Sequence, residues 1–246
     1  MQLQLHGVGK RYEDSDEVVL NDISLTVEQG EFVCVVGKSG CGKSTLLKLI
    51  AGLEAPSYGQ MLLNGKPITK PGADRVVMFQ EHALFPWLTV EENVKFGMKL
   101  AGASKERQEE LCVKYLDMVQ LLDYKKYRIH QLSGGMRQRV ALARALTLDS
   151  KVLLMDEPFS ALDKQTSNHL RKELQDIWQA TKQTIFFVTH SVEEAVYLGT
   201  KVIVMSPETK GIKEEIPIEL DRPRHVYDDA FTKYRHHILH LVQSDL

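Results

Sequence analysis

The sequence predicts an α/β fold: a mostly parallel sheet with helices on both faces, a small antiparallel sheet beside it, and an inserted helical segment. Three observations carry this. The apolar run Val33-Cys34-Val35-Val36 breaks at Gly37 and resumes as Leu46, Leu47, Leu49 and Ile50, the spacing of a buried helix face. Strand-like and helical stretches alternate again from Val152 to Met205. Between them, from Thr89 to Leu148, the helical period dominates.

The elements follow in order. Leu3 through Tyr12 to Val27 alternates apolar and polar residues, with turn signals at Asp14-Ser15-Asp16 and Glu28-Gln29-Gly30. Met61-Leu62-Leu63 leads into the tight-turn pair Asn64-Gly65, with Ile68 beyond, so these stretches predict the antiparallel sheet. Arg75 to Phe79 reads as a buried strand ending at Gln80. In the helical segment Thr89 and Glu92 have capping-box spacing, and Leu111, Tyr115, Met118 and Leu122 recur at helical intervals. Strands are then predicted over Val152–Met155, Thr184–Thr189 and Val202–Met205, with a helix over Asp163–Ala180. Ser191 opens a short helix with Glu194 three residues on, again capping-box spacing. Ile212–Leu220 gives a last hairpin arm and Asp228–Val242 a closing helix.

Composition sets the outer bounds. The 246 residues allow one large domain or two small ones with ample core. Thirty-one basic side chains nearly cancel 33 acidic ones, so no global field selects nucleic acid or anionic membrane. Three cysteines make no disulfide framework and fit a reducing cytoplasm. No signal peptide opens the chain, and no apolar run approaches the ~20 residues that span a bilayer. Work at a membrane would then need a separate spanning chain.

Gly37 to Ser44 spells G-x-x-x-x-G-K-S between the predicted strand and helix. Glycines let successive backbone N–H groups turn toward one anion, and the helix N-terminus adds partial positive charge. Lys43 can reach β- and γ-phosphates, and the Ser44 hydroxyl can hold Mg²⁺. The strand Val152–Met155 ends in Asp156-Glu157, at the strand end where parallel sheets place ligands. There Asp156 suits the Mg²⁺ shell, and Glu157 suits orienting or deprotonating an attacking water. Ser133 caps a helix from about Gly135 through Ala145, leaving a second anion site that suits the γ-phosphate held by another copy. His190 ends a strand and can bond that phosphate. Tyr12, after Lys10 and Arg11, can stack on adenine or serve as a core aromatic. Cys41 beside Lys43 is either a reactive thiolate or a small residue that fits the loop.

Taken together these stations resemble the ATP-binding cassette (ABC) transporter ATPases over nearly the whole chain. The resemblance aligns Tyr12 with the adenine-stacking aromatic, Gly37 to Thr45 with Walker A, and Gln80 with the Q-loop. It aligns Leu132 to Gln138 with the signature, Val152 to Glu157 with Walker B, Ser160-Ala161-Leu162-Asp163 with the D-loop and His190 with the switch histidine. It implies a P-loop NTPase (RecA-like) core over 1–82 and 150–220 with the antiparallel subdomain. A helical subdomain would span 83–149 and a helical tail 221–246, all in one ABC ATPase domain. Catalysis would fall to Glu157, His190, Gln80 and Lys43, and the metal to Ser44, Gln80 and Asp156. Nucleotide contacts would come from Tyr12, Gly37, Lys38, Ser39, Gly40, Cys41, Gly42, Lys43, Ser44, Thr45, Ser133, Gly134, Gly135, Gln138 and Asp163.

The family's head-to-tail homodimer around two Mg-ATP is implied too, together with integral membrane permease subunits and, indirectly, a solute-binding protein. The place implied is the cytoplasmic face of the cell membrane. Ala83-Leu84-Phe85-Pro86-Trp87-Leu88 is then a candidate permease-docking stretch or part of the subunit's own packing. Asp74 to Val90, Phe159 to Asp163 and Arg222-Pro223-Arg224 resemble the nitrate/sulfonate/taurine importer branch. Lys38 departs from that branch by adding a cation to the loop, and Phe159-Ser160 replaces its frequent Phe-Gly. Two other readings stand beside this one. A GTPase-like switch would need a guanine-reading Asn/Thr-Lys-x-Asp segment, which is absent, and a non-transport ABC ATPase would carry a long coiled coil or a second cassette.

Overall fold

The computed structural model describes residues 2–12, 17–79, 83–148, 150–160 and 162–244. The chain divides into two units. One comprises Met1–Gly72, Leu154–Glu157 and Lys182–Leu246, the other Ala73–Leu153 and Pro158–Thr181.

In the first unit, β1 (Gln2–Tyr12) pairs antiparallel with β2 (Glu17–Glu28) on one side and β4 (Tyr58–Leu63) on the other. Asn64 and Gly65, at φ 54° and 72°, turn β4 back into β5 (Lys66–Pro67), as the tight-turn pair requires. The parallel sheet is built on β3 (Phe32–Val36), which lies between β8 (Thr184–Val188) and β9 (Lys201–Met205). All five residues of β3 and of β8 are buried, as expected of strands covered on both faces. Phe32 and Phe187 meet across them with ring centres 5.8 Å apart. Beyond β8 runs β7 (Val152–Asp156), whose last three residues belong to this unit, and β10 (Ile212–Pro217) closes the other edge antiparallel to β9. The helices are α1 (Lys43–Ala51), α6 (Val192–Leu198) and α7 (Asp229–Gln243).

The second unit holds β6 (Arg75–Met78) and α2 (Val90–Leu100), α3 (Lys105–Met118), α4 (Gly134–Leu146) and α5 (Lys164–Thr181). The amides of Lys151 and Val152 donate to Asp74 O, at 2.9 and 3.1 Å, so the start of β7 lies beside β6. Thr89 and Glu92 make the expected capping box on α2. In α3 the buried stripe is Leu111, Cys112 and Leu116, whereas Tyr115 and Met118 are only partly covered. The stripe does not extend to Leu122 because Gln120, at φ 57°, breaks the helix first. The Ser191–Glu194 pair also departs from expectation. Ser191 accepts from Glu194 N, but the Glu194 carboxylate accepts from Thr189 Oγ1 at 2.6 Å instead of closing the box.

Replacing Thr89 by Ala removes one partner of the α2 box and should lower stability by about 1 kcal/mol, read from the urea midpoint.

Candidate nucleotide and phosphoryl-transfer site

The buried strand β3 delivers the chain into a loop whose glycines are sterically required. A Cβ on Gly42 (φ 96°) would stand 2.5 Å from Leu20 Cδ2 and 2.9 Å from Val19 O. One on Gly37 would stand 2.6 Å from Met205 O. The loop therefore sits pressed between β2 and the end of β9. It ends on α1, which has no side-chain cap and no acid in its first turn, so its leading N–H groups are available to an anion. Lys43 Nζ donates to Gly37 O at 2.9 Å and Lys38 O at 3.1 Å, holding the cation inside the curl. A cavity of about 430 Å³ opens over this loop, and Ser39, Lys43, Ser44, Glu157 and His190 line it.

The carboxylates arrive at the end of β7. Ser44 Oγ donates to Asp156 Oδ1 at 3.1 Å, and burial pushes the Asp156 carboxyl above its usual range, with the Ser44 bond opposing. Glu157 takes φ 45°, a left-handed conformation unusual for a non-glycine residue, while its N–H donates to Val188 O at 2.9 Å. That turn brings Glu157 Oε2 to 3.3 Å from His190 Nδ1. The pairing of a hydroxyl and a carboxylate beside a phosphate loop is a hard-oxygen donor set, and it fits Mg²⁺ completed by phosphate oxygens and water.

Tyr12 is held by its hydroxyl, which donates to Glu54 Oε2 at 2.7 Å. Lys10 Nζ lies 5.0 Å from the Tyr12 ring centre and 3.5 Å from Glu54, and Lys48 Nζ lies 3.7 Å from Glu54. Glu54 had no signal in the sequence beyond its place after α1; Val19, which also lines the cavity, had none. Lys38 extends its side chain toward the end of α7, where its Nζ donates to Gln243 O at 3.5 Å. Cys41 is fully buried, and burial raises its thiol above the ordinary range despite the opposing Lys43 charge, which favours the second of its two readings, a small residue filling the loop.

In the second unit Ser133 accepts from Met136 N at 3.2 Å and caps α4, with Gly134 and Gly135 as its first residues. A Cβ on Gly135 would meet Thr166 Cγ2 at 2.7 Å, whereas Gly134 faces open space apart from Leu162 at 3.9 Å. Gln138 is a correction: it is 2% exposed with both amide atoms unpartnered, so it faces the interior and not the open helix tip. Asp163 accepts from Thr166 N at 3.0 Å and Thr166 Oγ1 at 2.7 Å, and these bonds hold its carboxyl below the usual range. Gln80, and Ala161 of the D-loop stretch, lie outside the described residues.

Residues 20–160 match the family model described as ABC transporter. A nitrate import ATP-binding protein of Synechocystis is 49% identical over 213 residues, covering 87% of this chain and 79% of that protein. An aliphatic sulfonates import ATP-binding protein of Bacillus cereus is 43% identical over 242 residues, covering 97% and 95%. Among solved structures, a dimeric ATP-binding cassette in a post-hydrolysis state bound to ADP and Pi is 28% identical with a TM-score of 0.76, covering 89% of this chain and all of that one. The chain belongs to the ABC transporter family and is an ATPase of that type. None of its described helices is long and apolar enough to cross a membrane.

Because Cys41 is buried, a maleimide at neutral pH should leave it unmodified in the folded chain and label it after denaturation, as peptide mass mapping would show. Rapid labelling of the folded chain that ATP suppresses would restore the reactive reading.

Proposed function

We propose that this chain is the ATP-hydrolysing subunit of an importer for a small oxyanionic nutrient of the nitrate, sulfonate or taurine kind. Two copies pair head to tail around two Mg-ATP. Each triphosphate lies in the loop Gly37–Thr45 of one copy and meets Ser133, Gly134 and Gly135 of the other. Permease subunits, fed by a solute-binding protein, supply the membrane passage, and the chain works on the cytoplasmic face. The single observation that carries the reading is the cavity in which Lys43, Ser44, Glu157 and His190 converge over the loop. The similarity to nitrate and sulfonate import ATP-binding proteins supports the substrate class, and the dimeric cassette supports the pairing.

The roles follow from position. Lys43 and the N-terminus of α1 neutralise the β- and γ-phosphates. Ser44 and Asp156 would hold Mg²⁺, whose charge would offset the negative charge that develops on the phosphate. Glu157 orients or deprotonates the water that attacks the γ-phosphorus, and His190 hydrogen-bonds the γ-phosphate beside it. Tyr12 stacks on adenine, anchored through Glu54. Because only ATP joins both copies through its γ-phosphate, hydrolysis removes the contact that favours the closed pair.

The single ABC ATPase domain reads as a nucleotide-binding core, the helical subdomain 83–149 and the tail 221–246. Permease docking is assigned to Ala83–Leu88, where Trp87 is 68% exposed and Phe85 borders an apolar cavity of about 290 Å³ with Phe96, Ala141 and Leu148.

Glu157→Gln should keep ATP binding and lower turnover by ~10²-fold or more, measured as phosphate release. Unchanged turnover removes Glu157 from its role. Lys43→Ala and Ser133→Ala should each lose ~10²–10³ in rate. Mixed together, the two variants should regain activity, because one of the two shared sites is then intact. A mixture as inactive as its components contradicts independent sites completed in trans.

A further inference from the structure

The tail carries two arginines that the site does not use. Arg224 is 5% exposed. Its Nη1 donates to Val196 O at 2.6 Å, Tyr197 O at 3.2 Å and Gly199 O at 2.7 Å. Its Nε donates to Leu220 O at 3.2 Å and its Nη2 to Ile218 O at 3.3 Å. Arg222 adds bonds from Nη2 to Leu198 O at 2.6 Å and from Nη1 to Tyr197 O at 3.5 Å. Together the two guanidinium groups reach the carbonyls of residues 196 through 199, the last turn of α6 and the residue after it.

Such carbonyls lack partners within their own helix, and a cation there also meets the negative end of the helix dipole. Burial, aided by the neighbouring Arg222 charge, pulls the Arg224 pKa down to about 10, so it remains a cation at neutral pH. The planar fork of arginine can serve several carbonyls at once, which an ammonium cannot.

This matters because α6 has seven residues and cannot hold itself in water. Its first turn is tied to the end of β8. Thr189 Oγ1 donates to Glu194 Oε2 at 2.6 Å, Ser191 N donates to Thr189 Oγ1 at 3.0 Å, and Glu194 N donates to Ser191 Oγ at 3.2 Å. His190 lies inside that ring of bonds, with Nδ1 3.3 Å from Glu157 Oε2. One end of the helix thus sets the histidine, and the other end rests on the arginines.

We propose that Arg224, seconded by Arg222, is a positioning residue for His190: it fixes the last turn of α6 so that the first turn holds the imidazole against Glu157 over the cavity. The inference rests on the reading of His190 as a γ-phosphate contact.

The test is a double-mutant cycle on ATP hydrolysis by the full-length chain, with His190→Ala, Arg224→Met and both together. Misplacing a group that acts on the reacting phosphate should lower kcat about tenfold or more in R224M. KM for ATP should stay within about twofold, because the loop that binds the triphosphate is untouched. In the His190→Ala background R224M should then change kcat by less than about twofold, since nothing remains to be positioned. Equal losses in both backgrounds, or no loss in R224M alone, overturn the proposal. An unchanged kcat in His190→Ala alone instead removes the reading of His190 on which it rests. R224K keeps the cation without the fork, and if R224M does not fold it carries the same cycle with the same deciding outcomes.

Discussion

The constraint on which the rest depends is a backbone one: the curl of Gly37 to Gly42 must turn its N–H groups inward while pressed between two strands. Met205 O would lie 2.6 Å from a Cβ on Gly37, and Leu20 Cδ2 would lie 2.5 Å from one on Gly42. No larger residue keeps the curl without moving β2 or β9. The wholly buried β3 behind the loop gives it a rigid footing, which a charge-stabilising site needs because its dipoles must be set before the charge arrives. Lys43 then supplies the cation from inside the curl.

The second feature is how little of the chemistry lies on any one element. The loop follows β3, Asp156 ends β7 with Glu157 just after it, and His190 follows β8. Parallel strands bring these ends to one edge of the sheet, so residues more than a hundred positions apart converge without long side chains. The left-handed backbone at Glu157 is the local cost of turning its carboxylate toward His190. In the other unit, Ser133 shows an ordinary cap bond to Met136 N beside an open Gly134. That open tip is where the proposed pairing would bring the triphosphate of a second copy.

Much of this was legible in the sequence, for physical reasons. Buried parallel strands require unbroken apolar, β-branched runs, so β3 and β8 announced themselves. Asn64-Gly65 and Thr89 with Glu92 carry their geometry in residue type and spacing. What stayed hidden depends on contacts between distant segments. The burial of Cys41 comes from packing around the loop, whereas its neighbours in sequence left both a reactive thiol and a space-filling one open. Gln138 shares the signature stretch with Ser133 but falls on the covered side of α4. The α3 stripe stopped early because Gln120 adopts a left-handed turn that no side-chain pattern marks. Glu54 and the Arg224 fan act through a hydroxyl and through backbone carbonyls, neither of which leaves a periodic trace.

In the proposed cycle ATP, and not ADP, holds two copies of this chain together. The most direct test is the solution mass of the Glu157→Gln chain by sedimentation, in Mg²⁺ with ATP and then with ADP. A species of two chains with ATP that reverts to one chain with ADP is the predicted result. A single-chain mass in both would contradict the account.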